Sequence, residues 1–435
     1  MAEFRIECFQ NEFLPLGGQV MNAVLTVTAT GTGAATASSS TRPERSELLI
    51  VDTSGSMSGK RLREAKVATA AAIDCIPDGV RFGVITGNHE AELAFPEWPP
   101  LAVSSEDTRA AAKATVKEFE AGGGTAMGRW IRLAAATFGE ATGIRHAILL
   151  TDGKNENEEV EVLDQTLSEV EGSFQCDCRG VGANWEVAEL RKVATALVGT
   201  IDIVADPDGL KDDFSLMMKD ALNKHVGEVY LRIWTPQGAH VTCLRHLDSN
   251  LDLTALRADT GPLVGEYPTG SWGDETRDYF LSVQVPSRQV GAEGLAARVT
   301  VVINGQAAEE SLVRATWTDD TARSTQLNRR VAQAMDQEEL AEVIQDVVDA
   351  FNHGEIDSAT AKAGKAVRLA HEAGNEDVIG RLSKLVDIDD RATGRVRAKK
   401  KVEALDVMIL DTRSVTSRRI EATEQGDTGR GEEGA

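Results

Sequence analysis

Apolar and polar positions alternate with period two at the amino end of the chain. In QVMNAVLTVTAT, Met21, Ala23, Leu25 and Val27 alternate with Asn22, Val24, Thr26 and Thr28, which predicts a strand with one buried face. FRIECFQ predicts another, and the small, polar segment from Gly31 to Glu44 predicts a loop. The pattern then changes. SELLIVD (46–52) is a short unbroken apolar run, the mark of a strand covered on both faces. After it, Leu62, Ala65, Ala68, Ala72, Ile73 and Ile76 recur at helical spacing. VRFGVITG, RHAILLTD (145–152), CDCRGVG and GTIDIVAD predict further strands, separated by helical patterns at 105–120, 127–138, 159–171, 186–197 and 209–225. Strands and helices in alternation predict a parallel sheet covered on both faces, a Rossmann-like, doubly wound α/β domain.

Residues 226–318 return to period two. EVYLRIWTP, HVTCLRHL, RDYFLSVQVP, ARVTVVING and SLVRATWTD are separated by Gly, Pro and Asp turns, as in a β-sandwich. A lone hairpin is marginal in water, so the strands of residues 1–44 are expected to complete this sandwich. The α/β domain, residues 45–225, is then an insertion in it. Residues 319–411 carry helical patterns, and residues 412–435 are too polar to order themselves and predict a disordered tail. Thr412, Ser414 and Thr416 lie among Arg413, Arg418 and Arg419 in that tail, a setting that would suit phosphorylation.

Charge narrows the partners. Asp and Glu number 69 against 46 Lys and Arg, a net charge of −23 over 435 residues. Such a field repels phosphate backbones and anionic lipid, so neither nucleic acid nor a membrane surface is expected as a partner. No apolar stretch approaches the roughly 18 residues needed to span a bilayer. MAEFRIECFQNEF lacks the basic start and apolar run of an export signal. The five cysteines (Cys8, Cys75, Cys176, Cys178 and Cys243) are sparse and odd in number, which favours free thiols in a reducing cytoplasm.

Candidate chemistry gathers at strand ends in the α/β domain. SELLIVD ends in a D-x-S-x-S built from Asp52, Ser54 and Ser56; the glycine loop GGGTAMG supplies Thr125; RHAILLTD ends in Thr151-Asp152-Gly153. In an open doubly wound sheet, ligands bind beyond the carboxyl ends of the strands, where these three segments would meet. Two carboxylates and three hydroxyls form an all-oxygen set that suits Mg²⁺, Mn²⁺ or Ca²⁺ rather than zinc. A competing reading makes Asp52, Ser54 and Ser56 helix caps, a role that Ser58 alone would fill.

Enzyme motifs come close and fail. Gly55, Gly59, Lys60 and Arg61 fall one residue short of a Walker A loop and put Arg where Ser or Thr must reach Mg²⁺. GSMSG has Met57 where a nucleophile elbow needs Ser. Glu156, Glu158 and Glu159 are candidate bases for a metal-assisted hydrolase, against a simpler reading as a solvated acidic rim. His240, Cys243 and His246 have suggestive spacing but read as ordinary sandwich residues, and the basic run Arg395–Lys401 reads as a solvated helix face.

The D-x-S-x-S, the distant Thr in a glycine loop and the later Thr-Asp-Gly together resemble the metal-ion-dependent adhesion site of von Willebrand factor type A domains. The resemblance spans about residues 46–225 and implies metal association at Asp52, Ser54, Ser56, Thr125 and Asp152. It also implies a protein partner that supplies an Asp or Glu to the metal. The wider layout resembles bacterial relatives of inter-alpha-trypsin inhibitor heavy chains. The expected function is a non-catalytic, metal-dependent protein-binding or scaffold module. The alternatives are a partner subunit of an AAA+ ATPase and, further off, a metal-dependent hydrolase.

Overall fold

The computed structural model describes residues 2–33, 44–98, 100–139, 141–249 and 251–413. Most of the predicted loop before the α/β domain and the tail from residue 414 lie outside the described residues. The chain opens with β1 (Glu3–Gln10), β2 (Phe13–Pro15) and β3 (Val20–Thr30). It then enters a mixed sheet built from β4 (Arg45–Asp52), β5 (Arg81–Gly87), β6 (Ala91–Phe95), β7 (Ala102–Val103), β8 (Ile144–Thr151), β9 (Gln175–Val181) and β10 (Ile201–Val204). Strands β10-β9-β8-β4-β5 are parallel neighbours in that order, and β6 and β7 pair antiparallel with β5. The order reverses at β4, which lies between β5 and β8. That reversal makes the carboxyl ends of β4 and β8 the switch point of the sheet.

The unbroken apolar runs follow from burial on both faces. Leu49 and Val51 of β4 pack with α1 (Lys60–Cys75), α2 (Glu106–Lys117) and, through Phe214, the later α6 (Leu210–Leu222). Leu48 and Ile50 turn the other way, onto α3 (Met127–Phe138), α4 (Val160–Val170) and α5 (Val187–Ala196). Trp130 of α3 is fully buried against this second face.

The remaining strands form a sandwich that includes the amino-terminal ones. One sheet runs β1-β3-β16-β12-β13, with β12 (His240–His246), β13 (Leu251–Asp252) and β16 (Glu275–Gln284). The other runs β14-β15-β11-β17-β18-β2, with β11 (Val229–Trp234), β14 (Ala258–Gly261), β15 (Val264–Pro268), β17 (Glu293–Ile303) and β18 (Gln306–Thr318). Met21, Leu25 and Val27 from the amino end share one core with Leu231, Val299 and Trp317. The α/β domain is thus an insertion in a β-sandwich.

Helices α7 (Arg329–Asn352), α8 (Ile356–Glu372), α9 (Glu376–Leu385) and α10 (Ala404–Arg413) follow. Two details depart from the expected pattern. The basic run falls partly on a hairpin, β19 (Val386–Asp390) with β20 (Arg395–Ala398), where strand pairing of Arg397 with Asp387 and of Arg395 with Asp390 replaces a helix face. Thr412 and Arg413, expected in the tail, form the last turn of α10: Thr412 is buried, and Arg413 reaches back to Asp202 at 2.7 Å. Asp411 accepts a hydrogen bond from Arg191 at 2.7 Å, so α10 ties the helical region to the α/β domain.

Candidate metal centre

The five predicted residues meet at the switch point. Asp52 is the last residue of β4 and is fully buried. Its Oδ1 accepts the Ser54 amide at 2.7 Å, and its Oδ2 accepts the Thr151 hydroxyl. Ser54 Oγ and Ser56 Oγ lie 3.0 Å apart, and Ser56 Oγ donates to Asp152 Oδ1 at 2.6 Å. Asp152, just past β8, is fully buried as well, while Ser56 is exposed and opens the cluster to solvent. The capping reading does not hold. Ser54 makes no side-chain cap bond, α1 starts at an uncapped Gly59, and Ser58 Oγ donates to the Gly55 carbonyl instead.

Thr125 arrives on the glycine loop before α3. Gly122 donates to the Thr53 carbonyl and Gly55 to the Gly123 carbonyl, so the loop is stitched to the D-x-S-x-S turn. From the other side, Asn157 Oδ1 accepts the Thr125 amide at 3.0 Å, Asn155 Oδ1 the Met127 amide at 2.7 Å, and Glu158 Oε1 the Gly128 amide at 2.5 Å. These bonds satisfy amides at the start of α3 that would otherwise lack partners. Gly124 must be glycine, because a Cβ there would stand 1.6 Å from Asn157 Oδ1. Of the three glutamates considered as bases, Glu158 is thus engaged as a clamp on α3, while Glu156 and Glu159 are exposed. Sequence reasoning missed Asn155 and Asn157; their signal is two amides, at positions three and five after Asp152, in a loop with no strand or helix pattern of its own.

The donor set fits a hard cation. A Cβ built on Gly153 would lie 2.9 Å from Thr125 Oγ1, 3.5 Å from Ser56 Oγ and 3.7 Å from Asp52 Oδ2. Three of the five residues therefore each place an oxygen around one point that only a glycine leaves free. Burial pushes the Asp52 carboxyl up to about 6, against the hydrogen bonds from Ser54 and Thr151 that favour its ionised form, and the nearby Asp152 adds to the rise. Sulfur is remote: Cys176 and Cys178 are buried in the core under α3 to α5. Among the described residues, no group of three or more His, Cys, Asp and Glu side chains is placed to hold a metal, His240, Cys243 and His246 included.

Comparison with known proteins bears on this geometry. The sequence profile of the von Willebrand factor type A domain matches residues 47–203, and that of a von Willebrand factor type A C-terminal domain matches residues 368–414. A solved structure, von Willebrand factor type A from Catenulispora acidiphila, is 42% identical with a TM-score of 0.89, covering 96% of this chain and 97% of that one. The chain belongs to the von Willebrand factor type A family. All five clustered residues lie inside the matched A domain, and the matched C-terminal domain takes in the end of α8, all of α9 and α10, and the β19–β20 hairpin. The ArnB paralog VWA2 from Sulfolobus acidocaldarius shares the fold at 13% identity, with a TM-score of 0.56 over 96% of this chain and 99% of that one. An uncharacterized protein of Synechocystis sp. is 25% identical over 204 residues, 45% of this chain and 46% of that protein, so the match spans about half of either. Von Willebrand factor type A domains are generally protein-binding modules. Among the described residues, no helix is long and apolar enough to cross a membrane.

Proposed function

We propose that this chain is a divalent-metal-dependent protein-binding module, with Mg²⁺ held by Asp52, Ser54, Ser56, Thr125 and Asp152. The observation that carries the reading is the gathering of these five oxygen-bearing side chains from three separated segments: Asp52, Ser56 and Thr125 face the space left by Gly153, and Ser54 and Asp152 are hydrogen-bond neighbours of Ser56. When bound, the ion supplies a positive centre for a carboxylate from a partner protein. The chain's own residues do the rest. Asp52 and Asp152 supply the charge, the three hydroxyls supply neutral donors that leave the ion under-neutralised, and Asn155, Asn157 and Glu158 hold the Thr125 loop in place.

The module is non-catalytic in this reading: of the three glutamates that follow Asp152, Glu156 and Glu159 are exposed, and Glu158 holds the Gly128 amide through Oε1. All five cysteines are free thiols, which supports a reducing, cytoplasmic setting. The arrangement of an A domain set in a β-sandwich and followed by helices supports a relationship to bacterial relatives of inter-alpha-trypsin inhibitor heavy chains. Affinity capture from native lysate, with Mg²⁺, with EDTA and with Asp52→Ala, tests the function. Partners lost under both EDTA and Asp52→Ala are expected; a partner set indifferent to both would contradict it.

A further inference from the structure

One cation already sits on the cluster. Arg61, in the first turn of α1, donates from Nη1 to Asp152 Oδ2 at 2.5 Å and to the Ser56 carbonyl at 3.2 Å. The guanidinium is 31% exposed while Asp152 is fully buried, so this pair closes the solvent side of the carboxylate. The remaining oxygen of Asp152 is the one bonded to Ser56. Each oxygen of Asp152 therefore already has one partner, Ser56 on Oδ1 and Arg61 on Oδ2.

We propose that Arg61 is a resident counter-cation that weakens metal binding and strengthens binding of the partner carboxylate. The proposal rests on the metal reading above and assigns a new residue to it. Its physics is charge counting in a half-buried site. With Asp52 and Asp152 ionised, the two carboxylates and one guanidinium leave one excess negative charge. A divalent ion turns that into one excess positive charge, which an incoming carboxylate cancels. Without Arg61, the loaded site is neutral, so the ion is held more tightly and the carboxylate has less to attract it. Like charges a few ångströms apart in a partly desolvated pocket repel far more strongly than in water. Arg61 therefore makes metal and partner binding cooperative, through the reciprocity that links two ligands of one site.

Calorimetric titration of Mn²⁺ into the full chain tests this, with wild type, Arg61→Gln, Arg61→Lys and Ser54→Ala, each in chloride and again in acetate as the carboxylate probe. Arg61→Gln is expected to bind Mn²⁺ about tenfold more tightly than wild type in chloride. Acetate is expected to tighten Mn²⁺ binding in wild type and to do so several-fold less in Arg61→Gln. Arg61→Lys keeps the charge and is expected to stay within about threefold of wild type in both salts. An Arg61→Gln affinity equal to or weaker than wild type, with Ser54→Ala still abolishing binding, overturns the proposal and leaves the metal reading standing. Failure of Mn²⁺ to bind any of the four proteins removes the metal reading and this proposal with it.

Discussion

The two ends of the parallel sheet carry charge in opposite ways. At the carboxyl end, Asp52 and Asp152 stand among hydroxyls at an opening lined by exposed Ser56, and among the described residues Arg61 is the cation paired with them. At the amino end, Glu47 of β4, His146 of β8 and Asp177 of β9 form a buried chain: Glu47 Oε2 to His146 Nδ1 at 2.7 Å, and His146 Nε2 to Asp177 Oδ2 at 2.9 Å. Arg45 adds to it, bonded to Glu47 Oε1 at 3.3 Å and to the carbonyls of Ala221 and Lys224. Asp177 Oδ1 accepts the amide and hydroxyl of Thr200 at 2.7 and 2.8 Å. In the amino-end network every carboxylate oxygen and both imidazole nitrogens have a partner, although Asp177 is only half-buried and borders a cavity, and the network lies where the chain enters and leaves the α/β domain, facing the sandwich. Fully satisfied buried charge fixes a structure, whereas carboxylates clustered around a space that only glycine leaves free are a place for a ligand.

The sharpest way to break this contrast is to remove the middle of the amino-end network. His146→Ala would leave Glu47 and Asp177 buried without their shared cation, at a cost of about 3–5 kcal/mol. Chemical denaturation measures it, and Mn²⁺ binding should be unchanged in the folded fraction.

The same residue sets a pH dependence. Burial alone pushes His146 down, but Glu47 and Asp177 overcome it and hold the imidazolium up at about 10. The unfolded value is about 6.5, so the folded state binds the proton more tightly. The network's contribution is therefore complete below about pH 6.5 and is lost as pH rises through about 10. Between pH 7 and pH 10, wild type should lose more stability than His146→Gln. Parallel denaturation curves for the two proteins across that range would contradict the assignment.

At the open end the expected losses are in affinity rather than stability. Ser54→Ala should weaken Mn²⁺ binding by at least about thirtyfold while changing unfolding free energy by less than about 1 kcal/mol, because no core contact is lost. Unchanged calorimetric binding would remove Ser54 from the site. The smallest effect belongs to the clamp: Asn157→Ala removes the bond to the Thr125 amide and should weaken Mn²⁺ by about fivefold through a looser loop. A wild-type affinity in that variant would mean that Thr125 is placed by its own backbone.

The two ends also differ in how far they can be read from sequence. Asp52, Ser54, Ser56, Thr125 and Asp152 announce themselves because they follow strands in loops of marked composition, and the doubly wound order says where those loops meet. Glu47, His146 and Asp177 are polar residues near the amino ends of their strands, in company with Arg45, Ser46, Arg145 and Gln175, and nothing in their spacing sets them apart. Only the register that sets Glu47 opposite His146, and β9 beside β8, shows that they share one network. The insertion of the α/β domain is legible because the amino-terminal strands have no partners nearby. The return of α10 onto the A domain through Asp411 and Arg413 is not, since pairs such as Arg191 with Asp411 join residues far apart in the chain and leave no periodic trace. The β19–β20 hairpin reads as helix for a related reason: Arg397 and Asp389 meet across strands, and a charge run looks the same on either element.

In the proposed function, the open end of the sheet is a metal centre with Arg61 as its resident cation. A crystal structure with Mn²⁺, with anomalous differences measured at a wavelength where manganese scatters, tests it most directly. The account predicts one anomalous peak between Asp52 and Asp152, beside Ser54, Ser56 and Thr125, with both carboxylates turned to it. Crystals soaked in Mn²⁺ that show no peak there, with Arg61 still on Asp152 as its sole cation, would contradict it.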